Sequence, residues 1–390
     1  MGAYGPRGRV RSMSRRNCME FTTEKADLSR TLDLVLHIVP PKTTLPVLSN
    51  LLLDVKSDAI TVVSTDLDTS ICTTVPGKVR TEGVMTLPAR RLGEIVRLLP
   101  EAPIRIALEE ETRVRIECGE TRYTIMGIAE EEFPKTPSIQ SKEKILLHAG
   151  TLRRMVAKTS FAVSKDETRP ALNGIFWRIE PLRMEMVATD GYRLAKIEKN
   201  GKFPVKGKKE FLISPKALGQ MVYLFGDDDE SEVEITVDNN YLVFSFGGTI
   251  VYSRLLEGPF PRYEQVIPKN NTKIAIVDRG GAITACRRVA ILSDTLTHQV
   301  QVTLDKDAMG FRSNTPDLGE ATDRVAAEYS EDKMDIGYNA AYLTDILKNI
   351  DGDKVKIMLD TPIKAALLEP VEQEKDENYF CLLMPLRLAE

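Results

Sequence analysis

The side chains most able to do chemistry in this chain are Asp66, Asp68 and Asp190, carboxylates of the kind that hold divalent metal in a nuclease. Metal-assisted phosphoryl transfer needs such acids to converge on one site. Their spacing points elsewhere, because Thr65-Asp66 returns 124 residues later as Thr189-Asp190. Two acids at equivalent points of two repeats read as turn residues at strand ends. His37, His148 and His298 share no ligand spacing, and Cys18, Cys72, Cys118, Cys286 and Cys381 are scattered without a C-x-x-C pair. That argues against a zinc site or a disulfide framework and fits a reducing cytosol. There is no P-loop, G-x-G-x-x-G, G-x-S-x-G or H-E-x-x-H motif, so no catalytic residue, metal or cofactor is expected. The chemistry left to the chain is recognition.

The elements that must position recognising residues come in three copies. Pro88-Ala89-Arg90-Arg91-Leu92-Gly93-Glu94-Ile95 returns as Ser214-Pro215-Lys216-Ala217-Leu218-Gly219-Gln220-Met221 and again as Asn339-Ala340-Ala341-Tyr342-Leu343-Thr344-Asp345-Ile346. Leu92, Leu218 and Leu343 are 126 and 125 residues apart, and Leu28, Leu152 and Ile283 head a second set at steps of 124 and 131. A period this long describes domains with their own cores rather than a solenoid. Each unit carries two helical patterns. The first helix of the three units shows apolar residues at 3.6-residue spacing through Leu28, Leu32 and Val35, through Leu152, Met155 and Val156, and through Ile283, Cys286 and Val289. Alternating strand pairs follow, such as 104–108 with 113–118, 233–237 with 241–246, and 355–359 with 365–368. The expected fold class is therefore α+β, with each domain made of two helices packed on antiparallel sheets. Proline-bearing joints at 133–138 and 260–269 divide it into domains 19–140, 141–266 and 267–390.

At 390 residues, 42% apolar and 28% charged, the composition is that of a globular protein, and no apolar run approaches the length of a membrane span. Residues 1–18 differ, with five arginines, three glycines and no acid. They are read as a disordered N-terminal extension ahead of a start at Met19, in preference to a transit peptide. The net charge of −4 hides a division. The segments 88–100, 149–164, 214–226 and 279–294 carry +2, +3, +1 and +2, while 25–40 and 339–350 carry 0, so the helices hold +8 and the rest −12. A basic helical layer on an acidic body suits a surface facing phosphates, through sequence-blind contacts.

Several motifs in order then carry a resemblance. They are Leu45-Pro46-Val47-Leu48-Ser49-Asn50-Leu51-Leu52-Leu53, Leu172-Asn173-Gly174, Thr189-Asp190-Gly191-Tyr192-Arg193-Leu194, Phe260-Pro261-Arg262-Tyr263 and Met384-Pro385-Leu386-Arg387-Leu388. From Met19 to Leu388 the chain resembles the bacterial DNA polymerase III beta subunits, the replicative sliding clamps. The resemblance implies the DNA clamp fold, a non-catalytic processivity factor for DNA replication, and a head-to-tail homodimer whose six domains form a ring around duplex DNA. It implies DNA-facing side chains at Lys42, Arg90, Arg97, Arg153, Arg154, Lys158, Lys216, Arg287 and Arg288. At the protomer junction, Ile291 and Leu292 would pack near Tyr123, and Arg91 and Arg122 would face Asp317 and Glu320. Glu120 stands where the family is often basic.

The resemblance also implies a pocket for short linear peptides from the clamp loader, the DNA polymerase III alpha subunit and other proteins with a clamp-binding motif. It would be lined by Leu172, Thr189, Gly191, Tyr192, Arg193, Leu194, Pro261, Val266, Ile363, Leu382, Leu383, Met384, Pro385 and Leu386. Leu, Met, Val and Pro make an adaptable apolar socket, and Arg193 would fix peptide orientation. Gln265 and the Ala389-Glu390 tail depart from the family pattern. The implied location is the bacterial cytoplasm, at the nucleoid and replisome. The alternative reading is an interaction scaffold that keeps the socket and closes no ring.

Overall fold

The computed structural model describes residues 19–388 apart from 58, 111, 142 and 239. The expectations for residues 1–18 and for Ala389-Glu390 lie outside the described residues.

Helices form where the apolar spacing predicts them. They are α1 (Lys25–Leu36), α2 (Ala89–Leu98), α3 (Ala149–Thr159), α4 (Pro215–Phe225), α5 (Arg279–Ala290) and α6 (Ala340–Asn349). They pack as α1 on α2, α3 on α4 and α5 on α6. The repeat leucines Leu28, Leu92, Leu152, Leu218 and Leu343 are all buried. The aligned Ile283 is only half-buried, and α5 turns Ala282, Ala285, Cys286 and Val289 inward instead. Three helices begin on side-chain caps, which satisfy N–H groups the first turn leaves orphaned. Ser214 accepts from Lys216 N–H at 3.2 Å, Asp278 from Gly281 N–H, and Asn339 from the N–H groups of Ala341 and Tyr342. A Cβ at Gly93 would stand 2.8 Å from Leu36 Cδ1, so glycine there allows α1 and α2 to approach closely.

By contacts the chain groups into two compact units, the second of which holds the second and third repeats together. The first comprises the residues through Gln140 together with Ser245–Tyr252. One of its sheets runs in the order Lys78–Thr81, Glu20–Thr23, Ile104–Glu110, Arg113–Cys118, Thr121–Met126, which leaves the last strand at an edge. Another contains Thr69–Val75, Ala59–Thr65, Asn50–Lys56 and Gly83–Pro88, and there the hydroxyl of Thr249 lies 2.8 Å from that of Thr73.

The second unit comprises Ser141–Phe244 and Ser253–Glu390. Its main sheet has twelve strands, in the order Lys209–Ile213, Ile175–Glu180, Arg183–Thr189, Arg193–Asn200, Glu377–Leu383, Ala366–Pro370, Lys354–Leu359, Lys273–Asp278, Gly319–Glu328, Ala308–Thr315, Gln299–Asp305, Met334–Asn339. The second and third repeats merge because Arg193–Asn200 pairs antiparallel with Glu377–Leu383, in register from Arg193↔Leu383 to Lys199↔Glu377. Sequence periodicity marks each repeat's elements, but it carries no signal for which strand edges meet.

Candidate docking socket and basic helices

The socket grows from one turn. Thr189 to Arg193 reverses the chain between two strands. There the Asp190 carboxylate accepts from the N–H groups of Tyr192 (2.9 Å) and Arg193 (3.0 Å), while the Thr189 hydroxyl donates to Arg193 O at 2.6 Å. Gly191 has φ +94°, a left-handed conformation that suits glycine. The first repeat builds the same turn. Asp66 Oδ1 accepts from Thr69 N–H at 2.7 Å and from Asp68 N–H at 3.2 Å, with Leu67 at φ +80°. Asp66 and Asp190 are thus turn residues, and among the described residues no group of three or more His, Cys, Asp or Glu side chains could hold a metal ion.

Beyond the turn, Leu194, Leu382, Phe176, Val187 and Leu212 on one sheet face form a buried apolar floor with Tyr263 and Ala365 from the adjoining loops, and Phe260 and Ile267 pack against it. Gly174 is required beside it, since a Cβ there would meet Leu256 and Leu212 at 2.7 and 2.9 Å. Of the residues expected to line the socket, Tyr192, Val266, Met384, Ile363 and Pro261 are exposed. Met384 N–H donates to Tyr192 O at 2.9 Å, which holds the chain end against the turn, and Leu386 N–H donates to Gly337 O at 2.8 Å. Leu172 is buried, and its neighbour Ala171 packs on the floor.

Two expected members behave differently. Leu383 lies on the opposite strand face from Leu382, as period-2 alternation requires, and lines a small space with Val302, Leu304, Met309 and Leu343 in the third repeat. Arg193 is buried, and its guanidinium is already committed. It donates to Asp190 at 3.1 Å, to Asp345 at 2.9 Å and to Phe161 O at 2.7 Å, and it lies 4.5 Å from the Tyr342 ring centroid. It braces the socket from behind. Tyr342, which also stacks on Tyr192, was invisible in the sequence because the contact spans 150 residues.

The basic residues divide in the same way. Lys42, Arg90, Arg97, Lys216, Arg287 and Arg288 are exposed. Arg97 reaches Asp33 at 3.2 Å and Arg288 reaches Asp323 at 2.6 Å, where its hydrogen bond holds the Asp323 carboxyl below the usual range. Arg153, half-buried, bonds to Asp229 and Gly226 O. Arg154 and Lys158 are paired with acids of the third repeat. Lys158 is buried and bonds to Asn349 O and Asp351, while Arg154 bonds to Asp351 at 2.8 Å and to the buried Glu377 at 2.6 Å. Burial pushes Asp351 up, but Lys158 and Arg154 more than offset it, so its carboxyl is held low. These two cations pin α3 to the third repeat.

Comparison with known proteins decides the family. The descriptions that match are DNA polymerase III beta subunit, N-terminal domain over residues 19–137, central domain over 146–262 and C-terminal domain over 264–387. The chain belongs to the DNA polymerase III beta subunit family. It is 30% identical over 371 residues to the beta sliding clamp of Pseudomonas aeruginosa, covering 95% of this chain and 100% of that protein. The beta sliding clamp of Staphylococcus aureus is 28% identical over 379 residues, covering 95% and 99%. A solved DnaN sliding clamp from Bartonella birtlesii, bound to griselimycin, superposes with TM-score 0.89 at 29% identity, over 95% of this chain and all of that one. The fold is the clamp fold, and the chain is a DNA sliding clamp, a processivity factor rather than an enzyme.

The residues expected at a protomer junction lie in both units. In the first unit, Arg91 is exposed, Arg122 lies 3.6 Å from Glu117, and Tyr123 sits half-buried on the edge strand. In the second, Ile291 is 77% exposed and Leu292 half-buried, Asp317 is exposed, and Glu320 pairs with Arg312 at 2.7 Å.

Proposed function

We propose that two copies of this chain close head to tail into a six-domain ring around duplex DNA, and that the socket captures short linear peptides from the clamp loader, the DNA polymerase III alpha subunit and other clamp-binding-motif proteins. The ring reading is supported by family membership, by the threefold repeat and by the charge carried on the helices. Lys42, Arg90, Arg97, Arg153, Arg154, Lys216, Arg287 and Arg288 would make weak phosphate contacts that permit sliding, while the buried Lys158 would act through its bond to Asp351. At each junction Ile291 and Leu292 of one copy would meet Tyr123 of the other, with Arg91 and Arg122 facing Asp317 and Glu320. The site of action would be the bacterial cytoplasm, at the replisome.

The observation that carries the docking reading is the set of exposed apolar side chains, Tyr192, Val266, Ile363 and Met384, around the Leu194–Leu382 floor. Fluorescence anisotropy of a labelled clamp-binding-motif peptide tests it. The full chain should bind, and a chain ending before Met384 should lose binding while keeping its dimeric mass. Unchanged affinity in the shortened chain would sink the docking site. A chain that binds peptide yet forms no ring would favour the scaffold reading.

A further inference from the structure

A buried carboxylate lies beneath the socket wall without lining the socket. Glu185 is 1% exposed, in the middle of the sheet face that forms the floor. Its Oε1 accepts from the Tyr263 hydroxyl at 2.6 Å and from Arg178, and its Oε2 pairs with Lys196 at 3.1 Å. Arg178 reaches on to Glu210 at 2.8 Å and to Glu264 at 3.4 Å. A buried charge persists only where it is paired and hydrogen-bonded, and here every partner is in place.

What this network holds is the wall. The segment 256–267 lies over the sheet face, anchored at one end by Leu256 N–H donating to Leu212 O at 2.8 Å. Further along, Phe260 stacks on Phe176 with centroids 5.1 Å apart, and Tyr263 and Glu264 reach down to Glu185 and Arg178. Pro261 and Val266, two and three residues from Tyr263, are the wall's contribution to the socket. The same segment borders a cleft of about 360 Å³ lined by Phe176, Phe260, Leu212, Leu256, Glu257 and Arg254. The segment is thus packed on the floor through Phe260, Tyr263 and Ile267 and open to a cleft beside Leu256.

We propose that Glu185 is the positioning residue of the docking socket: through the Tyr263 hydroxyl it fixes segment 256–267, and so sets how tightly the socket holds a peptide it never touches. This inference rests on the docking reading above. A hydrogen bond to a charged acceptor in a dry site is among the stronger ones. The Tyr263→Phe substitution removes it, together with the 3.2 Å bond the same hydroxyl accepts from Arg178, while leaving Arg178 and Lys196 to neutralise the acid.

The test is a double-mutant cycle of Tyr263→Phe, Glu185→Gln and the pair. Affinity and release rate are measured with a fluorescein-labelled clamp-binding-motif peptide of a polymerase III alpha subunit. Tyr263→Phe should weaken binding about ten-fold through faster release, with one peptide still bound per chain. Glu185→Gln takes away the acceptor's charge rather than the acceptor, so the double variant should be no weaker than Tyr263→Phe alone, since both act on one link. Unchanged affinity in Tyr263→Phe, losses that multiply in the pair, or a loss of binding-competent chains at unchanged affinity would each overturn the proposal. If Glu185→Gln fails to fold, Tyr263→Phe alone still decides it. A parent chain that binds no peptide would instead topple the docking reading, and this inference with it.

Discussion

Replacing Arg154 by methionine should destabilise the second unit by about 3 kcal/mol, at the lower end of the range for stripping one partner from a buried ion pair. The structure sets that magnitude. The Glu377 side chain is 2% exposed and would be left as a buried carboxylate without its cation, whereas the Arg154 side chain is 36% exposed, so water can reach part of the pair. The contact with Asp351 adds little, because that acid is 45% exposed and keeps Lys158 as a partner. The assay is built into the sequence. Trp177 is the one tryptophan, fully buried in the second unit, so its emission reports that unit's unfolding in urea. The midpoint should fall, and the unit's folding equilibrium should drop about 100-fold. Adding Glu377→Gln should restore most of the loss, because it removes the stranded charge. A loss below about 0.5 kcal/mol, or a double variant as damaged as the sum of the singles, would refute the reasoning.

Three further outcomes follow from the same geometry. Ile291→Asp with Leu292→Asp should give monomers, because it buries unpaired carboxylates, and a light-scattering mass still at twice 43.6 kDa would contradict it. Arg287→Ala should reduce the slope of log affinity for a short duplex against log salt by about 0.9, while Lys158→Met leaves the slope unchanged. Equal effects would mean that Lys158 does reach phosphate. For pH, burial pushes Glu185 up, but Tyr263, Lys196 and Arg178 more than offset it and hold its carboxyl below the usual range. A depressed carboxylate contributes stability that is fully present above its unfolded pKa of about 4.3 and lost as pH falls through the folded value. The Trp177 transition should therefore weaken only below about pH 4, and Glu185→Gln should flatten that fall. Weakening already at pH 6 would count against it.

The helices and repeats were legible in the sequence because buried leucines recur at fixed spacing, and burial of Leu28, Leu92, Leu152, Leu218 and Leu343 is what fixes them. The reading of Asp66 and Asp190 as turn residues came from their equivalence, and each carboxylate does cap a turn. What stayed hidden is long-range. A count of positive charge on α3 could not see Asp351 and Glu377, roughly two hundred residues away, which bind Arg154 and Lys158. Motif matching placed Leu382 and Leu383 together, yet neighbours on a strand face opposite ways, and only Leu382 reaches the floor. Glu185, one of many acids in the sequence, gains its role only from the fold that buries it under Tyr263.

The most direct test of the whole account is a negative-stain electron micrograph of the purified protein. Closed six-lobed rings with a central hole wide enough for duplex DNA are expected. Compact monomers, or dimers without a hole, would contradict it.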